Sequence, residues 1–130
     1  MEGLKILVID DNEETCKLLE TLLTQSRAKV KTTYSSIEAV EIFEEWVPDI
    51  VLCDIGMPDE DGYSVIGRIR RSEKNGSSTP AIALTGYARP EDRAQALAAG
   101  FQLHIAKPID PDSLLVAVAQ LTRRGREQLT

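Results

Sequence analysis

The chain has 130 residues, 42% of them hydrophobic and 28% charged, with a net charge of −6. That is the length and composition of one globular domain able to bury a single core. The acidic balance argues against direct binding of nucleic acid, whose phosphates call for lysine and arginine. No run approaches the ~18 apolar residues of a membrane span, and Met1-Glu2-Gly3-Leu4-Lys5 lacks the layout of a secretory signal. A cytoplasmic protein is expected, with Cys16 and Cys53 as reduced thiols packed like small hydrophobes.

Apolar runs of strand length alternate with segments of helical period. Leu4 to Ile9 predicts a buried strand. The helix after it carries Thr15, Leu18, Leu19, Leu22 and Leu23 as one stripe, with Asn12 as its cap. Ala28 to Thr33 is more polar, as suits an edge strand. Ser35 and Glu38 have the spacing of a capping box, Val40, Phe43 and Val47 follow as a core stripe, and Pro48 closes that helix. Asp49 to Cys53 is a third strand ending at Asp54, and Gly62 to Arg71 a helix on Val65, Ile66 and Ile69. Lys74 to Pro80 is a loop, and Ala81 to Leu84 the fourth strand. Pro90 opens the next helix and Gly100 stops it. Leu103 to Ala106 is the fifth strand, and Asp110-Pro111 starts a last helix on Leu114, Leu115, Val118 and Leu121. Residues 1–122 form the domain, and 123–130 read as a basic C-terminal tail or linker.

Five strands alternating with five helices predict an α/β fold: a doubly wound, flavodoxin-like parallel sheet covered on both faces, with strand order 2-1-3-4-5. Sites in such sheets form at the carboxyl ends of the strands. Four of those ends here carry reactive groups: Asp10-Asp11, Asp54, Thr85 and Lys107-Pro108. Each has a plainer reading when taken alone. Asp10 and Asp11 also suit caps of the first helix, Thr85 a helix start, and Lys107 a solvated amine. Together they describe crowded carboxylates that a hard divalent cation such as Mg²⁺ would relieve. A carboxylate can also attack a phosphoryl group, whose equatorial oxygens then need the ammonium, the hydroxyl and backbone N–H groups after Asp54.

From about Leu4 to Leu121 the chain closely resembles the receiver domain of two-component response regulators. The motifs that carry the likeness are Asp10-Asp11, Asp54-Ile55-Gly56-Met57-Pro58, Asp61-Gly62, Thr85-Gly86 and Lys107-Pro108. The resemblance implies that Asp54 is phosphorylated by a histidine kinase or a histidine phosphotransfer protein. It implies Mg²⁺, with Mn²⁺ as a substitute, on Asp11, Asp54 and the Gly56 carbonyl, with Asp10 acting through water. Thr85 and Lys107 would contact the phosphoryl oxygens, and the Lys107-Pro108 bond would be cis. The family couples Thr85 to an aromatic residue three positions before the lysine, on a face made by helix 4, strand 5 and helix 5, which also offers a homodimer contact. It implies a phosphorylatable signalling domain, not an enzyme beyond its own phosphotransfer and slow autodephosphorylation.

This sequence departs from the pattern at His104, where tyrosine or phenylalanine is usual. His104 is either a half-buried packing residue or a switch that moves inward as the aromatic would, with a charge able to respond to pH. Gly56, two positions after the acceptor, cannot block a hydrolytic water, whereas Tyr87, two after Thr85, could shield the site. The stretch from Ala83 to Asp92 and the Ala-rich helix to Gly100 look like receivers fused to hybrid sensor histidine kinases. With no output domain after Leu121, such a module is expected first and a stand-alone receiver second. An Asp-nucleophile, Mg-dependent phosphatase of the haloacid-dehalogenase type would need a second carboxylate where Gly56 stands. A flavodoxin-like FMN binder would need a phosphate-cradling loop where Asp10 to Glu14 would repel an anion.

Overall fold

A computed structural model of the chain describes residues 1–58, 60–73, 78–86 and 89–127, the last five of these by backbone alone. The elements alternate as expected: β1 (Lys5–Ile9), α1 (Glu13–Gln25), β2 (Lys29–Thr33), α2 (Ser36–Trp46), β3 (Ile50–Asp54), α3 (Gly62–Ser72), β4 (Ala81–Thr85), α4 (Pro90–Ala99), β5 (Leu103–Ala106) and α5 (Pro111–Glu127). All neighbouring strands pair in parallel, in the order β2-β1-β3-β4-β5.

The period of two along the strands explains the two-sided core. Ile6, Val8, Ile50, Leu52, Ile82 and Leu84 face one side, where Cys16, Leu19 and Leu23 of α1 and Leu114 and Val118 of α5 cover them. Leu7, Ile9, Val51, Cys53, Ala81 and Ala83 face the other, beneath Phe43 of α2, Val65, Ile66 and Ile69 of α3, and Ala96 of α4. β3 and β4 are buried throughout, whereas the edge strand β2 exposes Lys29 and Lys31.

Helix boundaries follow local chemistry. The Asn12 side chain accepts from the Thr15 N–H at 3.0 Å, and Asp61 from the Ser64 N–H at 2.8 Å. Pro90 stands in the first turn of α4, and Gly100 ends it at φ +125°.

Some expectations need correcting. Leu18 is 51% exposed, and Cys16 takes its place in the α1 stripe, because a helix of 3.6 residues per turn swings Leu18 away from the sheet. Val47 lies past the end of α2 as a left-handed cap, 60% exposed, and Ala39 packs in the core with Phe43. The capping box at Ser35 is half made. Ser35 Oγ accepts from the Glu38 N–H, but the Glu38 carboxylate takes the Thr33 hydroxyl at 2.7 Å, and the Ser35 N–H donates to Thr33 Oγ1. The α5 backbone stays helical to Glu127, through the start of the expected tail. Most of the Lys74–Pro80 loop and Tyr87 lie outside the described residues.

Candidate functional site

Register brings the strand ends together. Ile9 pairs with Cys53, Asp54 with Leu84, and Thr85 with Ala106, so Asp10, Asp54, Thr85 and Lys107 all emerge at one edge of the sheet. One carboxylate oxygen from each of Asp10, Asp11 and Asp54 lies within 4.8 Å of the others. The Lys107 ammonium sits 3.0 Å from Asp10 Oδ2 and 3.4 Å from Asp54 Oδ1. Asp10 is fully buried, Asp54 and Thr85 nearly so, and Asp11 is exposed.

Backbone groups hold these side chains in place. The Asn12 N–H donates to Asp10 Oδ1 at 2.9 Å, and the Gly56 N–H to Asp54 Oδ1 at 3.2 Å. The Lys107 N–H donates to the Thr85 carbonyl at 2.7 Å, tying the end of β5 to the end of β4. The Lys107-Pro108 peptide bond is cis. Gly62 closes the floor of the site: a Cβ there would lie 2.5 Å from the Asp54 carbonyl oxygen and 2.8 Å from Ile55 Cα.

The electrostatics reflect crowding. Burial raises the Asp10 carboxyl above the ordinary 3.8. The Asn12 N–H and the Lys107 ammonium pull it down, while the Asp54 charge pushes it further up. Burial pulls Lys107 down, but the carboxylates of Asp10 and Asp54 outweigh it and leave the ammonium above 10.5. The Cys16 thiol, which donates to the Asp10 carbonyl at 3.3 Å, is pushed up to about 11 by burial. Such a thiol is structural rather than reactive.

Three carboxylates with no histidine or cysteine ligand form a hard oxygen set, which suits a small divalent cation that keeps several waters. One contributor escapes a reading of motifs: Gly62 as a spatial requirement. The Asp61-Gly62 dipeptide was visible, but its contact with Asp54 depends on how the β3–α3 loop folds back.

A doubly wound parallel sheet in the order β2-β1-β3-β4-β5, with its polar cluster at the carboxyl ends of the strands, defines the flavodoxin-like class of α/β proteins. Within it the assignment is specific: residues 6–119 match the response regulator receiver domain, and the chain belongs to that family. It is 43% identical over 115 residues to an uncharacterized 14.6 kDa protein of Leptolyngbya boryana, covering 88% of this chain and 87% of that one. It is 36% identical to hybrid signal transduction histidine kinase D of Dictyostelium discoideum, over 83% of this chain but 7% of the kinase. The chain spans about half or less of several other curated relatives, the transcriptional regulators among them.

Among solved structures, the receiver domain of sensor histidine kinase PA1611 from Pseudomonas aeruginosa superposes with a TM-score of 0.83 at 32% identity, covering 92% of this chain and 98% of that one. That structure has magnesium coordinated in its active-site cleft. A Clostridium difficile response regulator at 24% identity, with a TM-score of 0.86 over 94% and 98% of the two chains, shares the fold. Among the described residues no helix is long and apolar enough to cross a membrane.

Proposed function

We propose that Asp54 accepts a phosphoryl group from a phosphohistidine on a kinase or phosphotransfer protein, in a Mg²⁺-dependent reaction within a cytoplasmic phosphorelay. The observation that carries this reading is the meeting of the Asp10, Asp11 and Asp54 carboxylates within 4.8 Å, with the Lys107 ammonium 3.4 Å from Asp54. Bound Mg²⁺, held by Asp11, Asp54 and the Gly56 carbonyl with Asp10 acting through water, would neutralise charge on the phosphoryl oxygens and on the crowded carboxylates.

The chain's own residues account for the rest. The Gly56 N–H engages Oδ1 of Asp54 and leaves Oδ2 to attack. The new bond joins that oxygen to phosphorus as the bond from phosphorus to the imidazole nitrogen breaks, and the donor histidine keeps the electron pair. Lys107 turns from Asp10 to the incoming phosphoryl oxygens, and the Thr85 hydroxyl contacts a second of them. Thr85 then biases the face made by α4, β5 and α5, where His104 stands opposite Ala83 and two residues before the Ala106 partner of Thr85.

The deciding measurement is intact mass after incubation with acetyl phosphate and Mg²⁺. Wild type is expected to gain the mass of one phosphoryl group, and Asp54→Ala or metal-free protein none. A gain that survives in Asp54→Ala would move the acceptor elsewhere.

The kinase relatives support an origin within a hybrid sensor histidine kinase. The second reading, a stand-alone receiver, is favoured by the Leptolyngbya boryana relative, of which the chain covers 87%. The length of the full reading frame separates the two.

A further inference from the structure

The connection from β3 to α3 carries Gly56, whose N–H engages Asp54 Oδ1 at 3.2 Å. The core holds one part of it, because Met57 is buried in the cluster beneath α2 and α3. A second fastening lies three residues on. Glu60 Oε2 accepts from the Ser64 hydroxyl at 2.6 Å, and Glu60 Oε1 accepts from Arg68 Nη1 at 2.8 Å.

The spacing explains the arrangement. Ser64 and Arg68 are four apart and so lie one above the other on α3. Glu60 precedes both the helix and its cap, Asp61, and its side chain reaches from the connection along the first two turns. The start of α3 is secured without it. Asp61 already accepts from the Ser64 N–H at 2.8 Å, and the Gly62 N–H donates to the Ile55 carbonyl at 2.9 Å. With Glu60 and Arg68 only 19% and 33% exposed, and one carboxylate taking two donors, the pair is better placed than an ordinary surface ion pair.

The effect falls on the connection itself. In sequence only Pro58 and Asp59 separate the packed Met57 from the fastened Glu60. Mg²⁺ demands near-ideal octahedral geometry, and a backbone ordered beforehand spares the ion the entropy of ordering it. We propose, on the Mg²⁺ reading given above, that Glu60 is a positioning residue whose bonds to Ser64 and Arg68 hold the β3–α3 connection in the shape in which Gly56 serves the metal. Glu60 acts through the backbone and is not itself a ligand.

Charge and fastening make opposite demands at Arg68. Removing its cation makes an already acidic chain more so, and on charge alone Mg²⁺ should bind as tightly or more tightly. Loss of the fastening should weaken it. The test is calorimetric titration of the full chain with MgCl₂, well below the melting temperature of each protein. Arg68→Met and Glu60→Ala are each expected to bind Mg²⁺ about tenfold more weakly, the low end for loss of an outer support at a metal site. Glu60→Gln can still accept from Arg68 and donate to the Ser64 hydroxyl, so it should recover most of that loss. Hydrogen exchange over residues 55–61 of metal-free protein should be faster in Arg68→Met and Glu60→Ala than in wild type. If Glu60→Ala does not fold, Arg68→Met carries the test alone.

Arg68→Met binding Mg²⁺ as tightly as wild type, exchange unchanged across the connection, or no recovery in Glu60→Gln would overturn the proposal. A merely structural role would lower the melting temperature and leave Mg²⁺ affinity alone. The two readings fail separately. Wild type that binds no Mg²⁺ would remove the metal reading and Glu60's role with it. Wild type that binds Mg²⁺ and gains a phosphoryl group on Asp54, beside an equally tight Arg68→Met, would sink the fastening alone.

Discussion

Asp10 holds a charge that the fold by itself disfavours. It is fully buried, and the raised carboxyl shows that the Asn12 N–H and Lys107 do not fully offset desolvation and the Asp54 charge. An acid whose folded value lies above its unfolded 3.8 adds no penalty below that value. It then destabilises progressively as pH rises through the folded value. Asp10→Asn in metal-free protein should therefore raise the melting temperature at neutral pH, and the gain should vanish in acid, as thermal melts across pH would show. The same variant should lose most of the stabilisation that Mg²⁺ gives wild type. A site-specific ligand at ten times its Kd adds about 1.4 kcal/mol, and this variant has surrendered one of the charges that attract the ion. A variant both less stable without metal and equally stabilised by it would place Asp10 outside the cation site.

Two devices belong to elements rather than to single side chains. The β3–α3 connection folds back so that Gly62 touches the backbone of Asp54 and Ile55, and a Cβ at 2.5 Å from a carbonyl oxygen has nowhere to go. Gly62→Ala should cost roughly 1–3 kcal/mol of stability, the usual range for forcing bulk into packed surroundings. It should also slow phosphoryl uptake by shifting Asp54, measured as the rate of mass gain.

Arg70, late in α3, donates to the Gly100 carbonyl at 2.6 Å and 3.2 Å, and to the Thr79 carbonyl at 2.7 Å. It also pairs with Glu73 at 3.1 Å, so one guanidinium fastens the end of α3, the approach to β4 and the end of α4. Arg70→Met should lose roughly 2–3 kcal/mol in denaturant unfolding, because carbonyls that accepted from a charged donor are left without it. A smaller loss, within error of a surface substitution, would mean water replaces the guanidinium freely.

The sequence could not announce Arg70, since its partners lie up to 32 residues away and none belongs to a motif. Leu18 and Val47 failed for a related reason: an apolar residue at a plausible spacing says nothing about where the helix axis lies over the sheet or where the helix stops. Elements themselves were legible because hydrophobic period, caps and the Pro and Gly punctuation agreed at nearly every boundary.

For the whole molecule, the site was legible because parallel order leaves little freedom. Once β3 lies between β1 and β4, Asp10, Asp54 and Thr85 must emerge at the same edge, and β5 beside β4 brings Lys107 to join them. Among the described residues that edge gathers three carboxylates, two of them against the Lys107 ammonium, in a protein already at −6. Lys107 and a metal ion are thus alternative answers to one repulsion. A lysine whose folded value stands above 10.5 contributes stability that is complete below 10.5 and lost as pH rises through the folded value.

Lys107→Met should accordingly lower the melting temperature of metal-free protein at neutral pH by the equivalent of roughly 1–2 kcal/mol, between the values for exposed and buried pairs because the lysine is 27% exposed. With the competing charge gone, the carboxylates should hold Mg²⁺ more tightly, so that the ion raises the melting temperature of this variant more than that of wild type. Phosphoryl uptake from acetyl phosphate should fall in the same variant despite the tighter metal, because a group that balances an empty site cannot also be missing when the phosphoryl oxygens arrive. Melts with and without Mg²⁺, run beside intact-mass kinetics, separate these effects. Equal metal stabilisation of the two proteins would mean that Lys107 and the cation do not compete for the same carboxylates.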